Sequence, residues 1–291
     1  MNVIVVDYQA ADAPQKFARS LHETGFAVLI NHPLPQALVQ RIYDDWLAFF
    51  DSDAKFAYRY SEESGGGYYG PDVSETAKGN TIRDLKEFFH VYQDGRFPSE
   101  VDGLDARQYA EHAKRIAVTL LGWVESNTPA EVAKGFSRPL NQMMDGSTRT
   151  LLRVLRYPPL RGDEEPGAVR AAAHEDINLL TVLPASNEPG LQVRDTAGNW
   201  HDVPCDFASL VVNCGDMLEL ASGGYYPSTT HRVMNPTGQG ARRSRLSLPL
   251  FLHPADDVVL ADGRTASSFL QERLAELRSQ DTELPVRSAS N

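Results

Sequence analysis

From about residue 150 onward the chain runs as short β-type segments separated by turn signals, and this pattern restricts the fold more than any other feature. The segments are 150–157, 179–183, 191–194, 209–213, 217–220, 229–234 and 245–252. Between them stand Pro189-Gly190, Ala197-Gly198-Asn199, Gly215-Asp216 and Ser222-Gly223-Gly224. Many short strands with frequent turns predict a sandwich or closed barrel. The specific expectation is an antiparallel double-sheet jelly roll, also called a double-stranded β-helix, with flanking helices in a mixed α+β chain.

The first 150 residues lean helical. Residues 2–6 are β-rich and predict a short strand. Residues 12–24 predict a helix stopped by Gly25. The apolar run Phe26-Ala27-Val28-Leu29-Ile30 after that glycine predicts a buried strand. Leu38, Ile42, Trp46, Phe49 and Phe50 recur at helical spacing, so 36–50 predicts an amphipathic helix. Tyr109, Ala113, Ile116, Leu120 and Trp123 predict another over about 105–126. Gly65-Gly66-Gly67 reads as a flexible lid or a plain loop, and Tyr68 and Tyr69 either line a pocket or pack. A last helix carries Phe269, Leu270, Leu274 and Leu277 on one face, and the polar tail after about 283 is expected to be mobile. Residues 1–130 are therefore expected to pack on a core of 131–291 as one compact unit.

The formal charge of −11 argues against blanket electrostatic binding to nucleic acid or an anionic membrane surface. It leaves room for a local basic patch that takes a small anion. No basic leader and no window of about 18 apolar residues is seen, so a soluble cytoplasmic protein is expected. Two cysteines, Cys205 and Cys214, fit a reduced compartment, although a disulfide between them stays open.

Chemistry concentrates in three places. His174-Glu175-Asp176 puts an imidazole and a carboxylate two residues apart, and an extended backbone would point both to one side. His231 follows 55 residues after Asp176 on another β-type segment. Two histidines and one carboxylate on one face of a metal leave positions open, as in Fe(II) oxygenases. The His-x-Asp motif alone is weak evidence for a metal, and by itself a hydrogen-bonded His174–Asp176 pair at a barrel rim is the plainer reading. The third place is Arg245-Leu246-Ser247, where a guanidinium fork and a hydroxyl share a strand face and suit a carboxylate. A surface arginine beside Arg242 and Arg243 is the plainer reading, but an inward arginine on an apolar strand needs an anion. His32, His90 and His253 lack ligand-like companions and read as structural. Cys214 reads as a small buried apolar residue.

Five segments in order carry a family resemblance: His174 to Leu183, Pro189 to Val193, Val212 to Asp216, His231 to Pro236, and Arg245 to Ser247. Together they resemble the isopenicillin N synthase-like branch of the Fe(II)/2-oxoglutarate-dependent oxygenases. Arg156-Tyr157-Pro158 and Thr24 to His32 are similar to that branch too, with Pro33 where many members have glycine. The resemblance implies Fe(II) on His174, Asp176 and His231. It implies 2-oxoglutarate as cosubstrate, its far carboxylate on Arg245 and Ser247 with Tyr157 facing the pocket, and ascorbate as an optional supporting reductant. O₂ and a small organic molecule would then react, giving hydroxylation, desaturation or ring closure. Two alternatives stay open: a 2-oxoglutarate-independent oxidase of the isopenicillin N synthase type, and a catalytically inactive binding protein on this fold. Against tripeptide oxidation, Gly65 stands where isopenicillin N synthase has an arginine for the tripeptide's distal carboxylate; Arg83 or Lys86 could replace that charge.

Overall fold

The computed structural model describes residues 1–61, 66–73, 82–92, 95–186, 188–204 and 206–282. The first half supplies β1 (Val5–Asp7), α1 (Ala13–Thr24), β2 (Phe26–Ile30), α2 (Gln36–Asp51), β3 (Gly67–Tyr69), β4 (Glu87–Val91) and α3 (Gly103–Ser126). After the short α4 (Ala130–Ala133) come β5 (Leu151–Tyr157), β6 (Ala171–His174), β7 (Leu180–Pro184), β8 (Leu191–Arg194), β9 (Trp200–Asp202) and β10 (Leu210–Cys214). The chain then adds α5 (Asp216–Ala221), β11 (His231–Val233), β12 (Arg245–Ser247), β13 (Leu250–Leu252) and α6 (Ala266–Thr282).

Local chemistry explains how the chain enters the sheet. Gly25 ends α1 with φ 70°, and its N–H closes on the Leu21 carbonyl at 2.8 Å. A Cβ there would sit 2.6 Å from the Pro227 carbonyl oxygen, so both backbone shape and space call for glycine. The chain turns at once into β2, which lies in the large sheet.

The described strands form two sheets. The larger runs β1-β2-β10-β7-β13-β5-β4-β3, with β12 also on β5, and the smaller runs β6-β11-β8-β9. Only β1 and β2 pair in parallel among them. Period-two alternation separates two cores. On β5, Leu152 and Val154 face the helices, whereas Leu155 and Tyr157 face the smaller sheet. The inner core draws Phe26, Val28 and Val211 from the large sheet and Ala171, Val193 and Val233 from the small one. This is the expected jelly roll with helices outside it. The large sheet takes β1 to β4 from residues before 130 and its remaining strands from after 150.

The helical layer is held by aromatics. Trp46 on α2 is 1% exposed, with ring centroids 5.4 Å from Phe49, 5.3 Å from Phe89 and 5.7 Å from Phe97. Arg156 on β5 ties the layers together, 3.1 Å from Glu87 on β4 and 2.6 Å from Asp51 on α2.

Several expectations need correction. Residues 217–220 lie in α5, not in a strand. Met217-Leu218-Glu219-Leu220 is a short apolar run, which periodicity alone leaves ambiguous. The segment 245–252 is broken at Leu248-Pro249, because proline cannot donate to the ladder. Gly67 starts β3, paired to β4, and is not part of a lid; Gly65 and the tail after 283 lie outside the described residues. On α6, Phe269 is buried but Leu274 is 39% exposed, so the helix docks mainly by its start. No helix among the described residues is long and apolar enough to cross a membrane.

Trp46→Ala should cost about 3–5 kcal/mol, the usual range for emptying a large aromatic site. Urea unfolding followed by circular dichroism measures it. A loss under about 1 kcal/mol would show that the helical layer does not share the core.

Candidate metal centre

His174 closes β6 and His231 opens β11, and the antiparallel register sets them directly opposite. Their ring centroids are 4.4 Å apart. Asp176 lies past the end of β6, so strand alternation does not place it, contrary to the sequence expectation. A different device does. The turn after β6 hangs on the amides that lead into α5. Gly215 N donates to the Leu179 carbonyl at 3.1 Å, Asp216 N to Asp176 at 2.7 Å, and Met217 N to Asn178 at 3.2 Å. A Cβ on Gly215 would fall 2.2 Å from the Asn178 carbonyl oxygen and 2.8 Å from that of Asp176. Only glycine allows the two backbones this close.

The three side chains turn their acceptors toward one another. His174 Nδ1 lies 2.7 Å from the Ala172 carbonyl, and His231 Nδ1 3.1 Å from that of Thr229. A carbonyl only accepts, so each Nδ1 carries the proton and each Nε2 keeps its lone pair. Asp176 Oδ2 accepts from Thr181 Oγ1 at 2.5 Å and from Asn213 Nδ2 at 2.8 Å. That leaves Oδ1, which is 3.9 Å from His231 Nε2. One donor atom from each of the three residues lies within 4.8 Å of the others. Two imidazole nitrogens and a carboxylate oxygen facing one small space fit a divalent cation, and the donor set suits iron.

Electrostatics agree. Burial, followed by the neighbouring His231, pushes His174 down to about 4, so it stays neutral and able to ligate. Burial alone would raise Asp176, but His231, His174 and the Thr181 and Asn213 hydrogen bonds together hold it below its ordinary value. It is therefore an anion at neutral pH.

The candidate anion clamp lies on the same inner face. Arg245, Ser247 and Tyr157 are 3%, 4% and 4% exposed. Arg245 pairs with Tyr157 across β12 and β5, its guanidinium carbon 5.2 Å from the tyrosine ring centre. Its Nε donates to the Glu188 carbonyl at 3.2 Å. A fourth residue, absent from the sequence reading, joins them. Arg170 is fully buried, with its guanidinium carbon 5.8 Å from the same Tyr157 ring.

Thr181 and Asn213 were also not singled out, although each is a polar residue in an otherwise apolar strand, a legible signal. Tyr68 and Tyr69 divide their tasks. Tyr68 faces the helical layer and donates to Glu87 at 2.5 Å, and Tyr69 packs toward the inner core, stacked 4.7 Å from Phe88. His32 holds the Ala208 carbonyl at 3.1 Å, and His90 accepts from Arg153 Nε at 2.9 Å. Cys214 is buried and unpaired by disulfide, and burial pushes its thiol up.

His253 gives a pH test. Burial pushes it down to about 4, with Asp176, Arg149 and Asp256 as lesser neighbours. The folded value lies below the ordinary 6.5, so the unfolded chain takes up a proton that the native chain excludes. The associated stability is complete above pH 6.5 and declines as pH falls toward 4, as it does for His174. Each such proton contributes a slope of up to about 1.4 kcal/mol per pH unit. In metal-free protein, where His32 and His174 are also lowered by burial, His253→Gln should reduce the acid slope in urea unfolding between about pH 4.5 and 7 by up to about 1.4 kcal/mol per pH unit, leaving their share in place. An unchanged slope would show that His253 protonates inside the fold.

Comparison with known proteins agrees with this geometry. Residues 149–254 match the 2OG-Fe(II) oxygenase superfamily, and residues 5–112 match the N-terminal region described for non-haem dioxygenase in morphine synthesis. A solved Shewanella oneidensis protein assigned as an oxygenase is 50% identical, with TM-score 0.86 over 96% of this chain and 99% of that one. A Caulobacter crescentus protein assigned to the 2OG-Fe(II) oxygenase family is 31% identical, with TM-score 0.77 over 94% of this chain and 98% of that one. A 2-oxoglutarate-dependent dioxygenase of Monascus ruber is 29% identical over 237 residues, 73% of this chain and 70% of its own. With both halves matched and the Caulobacter likeness running nearly end to end, this chain belongs to the 2OG-Fe(II) oxygenase superfamily.

Proposed function

We propose that this oxygenase holds iron on His174, Asp176 and His231 and couples the oxidative decarboxylation of 2-oxoglutarate to the oxidation of a small organic substrate. The observation that carries the reading is the set of acceptors at the metal centre: both Nδ1 protons and Asp176 Oδ2 are engaged, leaving two Nε2 atoms and Oδ1 around one space. Bound iron supplies the redox chemistry with O₂ that amino-acid side chains lack. The protein's part is to bind, orient and exclude water.

Each residue has a defined task in this reading. Thr181 and Asn213 fix which carboxylate oxygen of Asp176 is presented. Arg245 and Ser247 take the far carboxylate of 2-oxoglutarate, with Tyr157 beside them; the Monascus relative is named for dependence on that cosubstrate. The inner apolar core, with Phe26 edge-on to His231 at 5.3 Å, keeps bulk water from that histidine. The spans 1–130 and 131–291 act as one unit in this reading, because strands of both complete the large sheet.

Anaerobic calorimetry with Fe(II), repeated with Mn(II), tests the metal assignment. Ala at position 174, 176 or 231 should abolish binding while circular dichroism stays native. Thr181→Val should weaken metal binding by about 10- to 100-fold, as expected when an outer partner of a ligand is lost. Retained metal affinity in His231→Ala would overturn the reading.

Cosubstrate use is read from succinate released under O₂. Arg245→Lys keeps the charge but loses the planar fork, so 2-oxoglutarate affinity should fall about 10- to 100-fold. Cyclisation of the penicillin-precursor tripeptide without 2-oxoglutarate would instead favour the oxidase alternative.

A further inference from the structure

Arg170 immediately precedes β6 and is 0% exposed. Its Nη2 donates to the Arg243 carbonyl at 3.1 Å. Its Nε and Nη1 meet no acceptor among the described residues. Those two atoms carry three N–H bonds, and an arginine does not shed its charge to escape the cost. A buried unpaired charge is among the least tolerated features of a protein interior.

The surroundings add to the anomaly. No ion pair to a carboxylate is formed by Arg170 among the described residues. Glu188, whose charge it feels, lies 3.3 Å from Arg243 Nη1 instead. The nearby charge is a second cation. Arg170 and Arg245 lie with guanidinium carbons 5.8 Å and 5.2 Å from the one Tyr157 ring. Burial, and then Arg245, pull Arg170 down to about 10, which still leaves it charged at neutral pH. Each of the two arginines is steadied by a backbone carbonyl, Arg243 for Arg170 and Glu188 for Arg245. Two buried guanidiniums braced in this way, with a phenol and a serine hydroxyl beside them, describe a site for a carboxylate.

We propose that Arg170 is a second anchor for the far carboxylate of 2-oxoglutarate, with Nε and Nη1 donating to it alongside Arg245. This rests on reading the Arg245 site as the cosubstrate site. A single fork neutralises one carboxylate. A second guanidinium strengthens the grip on that group, and it leaves the cosubstrate-free protein with two like charges held close together.

That asymmetry separates binding from a merely structural role. Arg170→Met keeps an unbranched, mostly apolar side chain in the buried position while removing the guanidinium over Tyr157 and its charge. Arg170→Lys keeps the charge and loses the fork. Both are compared with the unaltered protein, loaded with Mn(II), by calorimetry against two probes: 2-oxoglutarate, and 2-oxovalerate, which has the same keto-acid end and no far carboxylate. Arg170→Met should weaken 2-oxoglutarate by at least about tenfold and leave 2-oxovalerate within about twofold. Arg170→Lys should fall between, and in either variant the melting temperature without cosubstrate should be unchanged or higher. A strut for the Arg243 carbonyl predicts the reverse: a lower melting temperature and equal affinities. Unaltered 2-oxoglutarate affinity in both variants, or equal loss of both probes, overturns the proposal while leaving the cosubstrate reading standing. Failure of the unaltered, metal-loaded protein to bind 2-oxoglutarate overturns both. Should Arg170→Met not fold, the two-probe comparison in Arg170→Lys decides the matter alone.

Discussion

Asn213 on β10 and Thr181 on β7 are cross-strand partners, and both donate to the same oxygen of Asp176. The direction of one carboxylate is thus set by the register of one strand pair. A slip of either strand by a single residue would carry its donor to the opposite face of the sheet and part it from the other. The two strands are continuous with the turn they support. β10 runs into Gly215, whose backbone is pressed against the Asp176–Asn178 turn, and β7 emerges from that turn. The pairing that builds the large sheet also orients the Asp176 carboxylate of the candidate metal centre.

The inner face is electrically divided. At one place three acceptors converge with their remaining lone pairs toward one another. At another, Arg170 and Arg245 bring two positive charges to one tyrosine ring. Neither arrangement is comfortable by itself. The first calls for a cation and the second for an anion, so a metal ion on the triad and a dicarboxylate reaching the two arginines would together meet both demands. Groups held in place before the ligand arrives lose little freedom when it binds, which is the physical content of preorganisation.

Much of this was legible in the sequence, for reasons that differ by element. Phe26–Ile30 and Gln36–Asp51 read correctly because a glycine stop and a regular apolar spacing act locally. The order of His174, Asp176, His231 and Arg245 was legible as chemistry. How Asp176 is held was not, because the decisive contact is made by a backbone about 40 residues downstream. α5 was misread as a strand because four residues carry too little periodicity to choose. Arg170 escaped because an isolated arginine reads as surface by default; the signal was its place between Gly167-Ala168-Val169 and Ala171-Ala172-Ala173. An arginine inside an apolar run is the same clue that drew attention to Arg245.

The two cores carry different burdens. The outer one, packed around Trp46, Phe50 and Tyr109 between helices and large sheet, is dense and apolar. The inner one is interrupted by the buried charges of Arg170 and Arg245, whose burial subtracts from stability until something pairs with them. An enzyme built in this way depends on its outer layer to remain folded while its inner face stays ready to bind. Ligands then return part of that stability, by about 2.7 kcal/mol for each ligand present at a hundred times its dissociation constant. Binding and folding are linked through the same buried charges, so a substitution that makes the empty inner face more comfortable must weaken its hold on metal or cosubstrate.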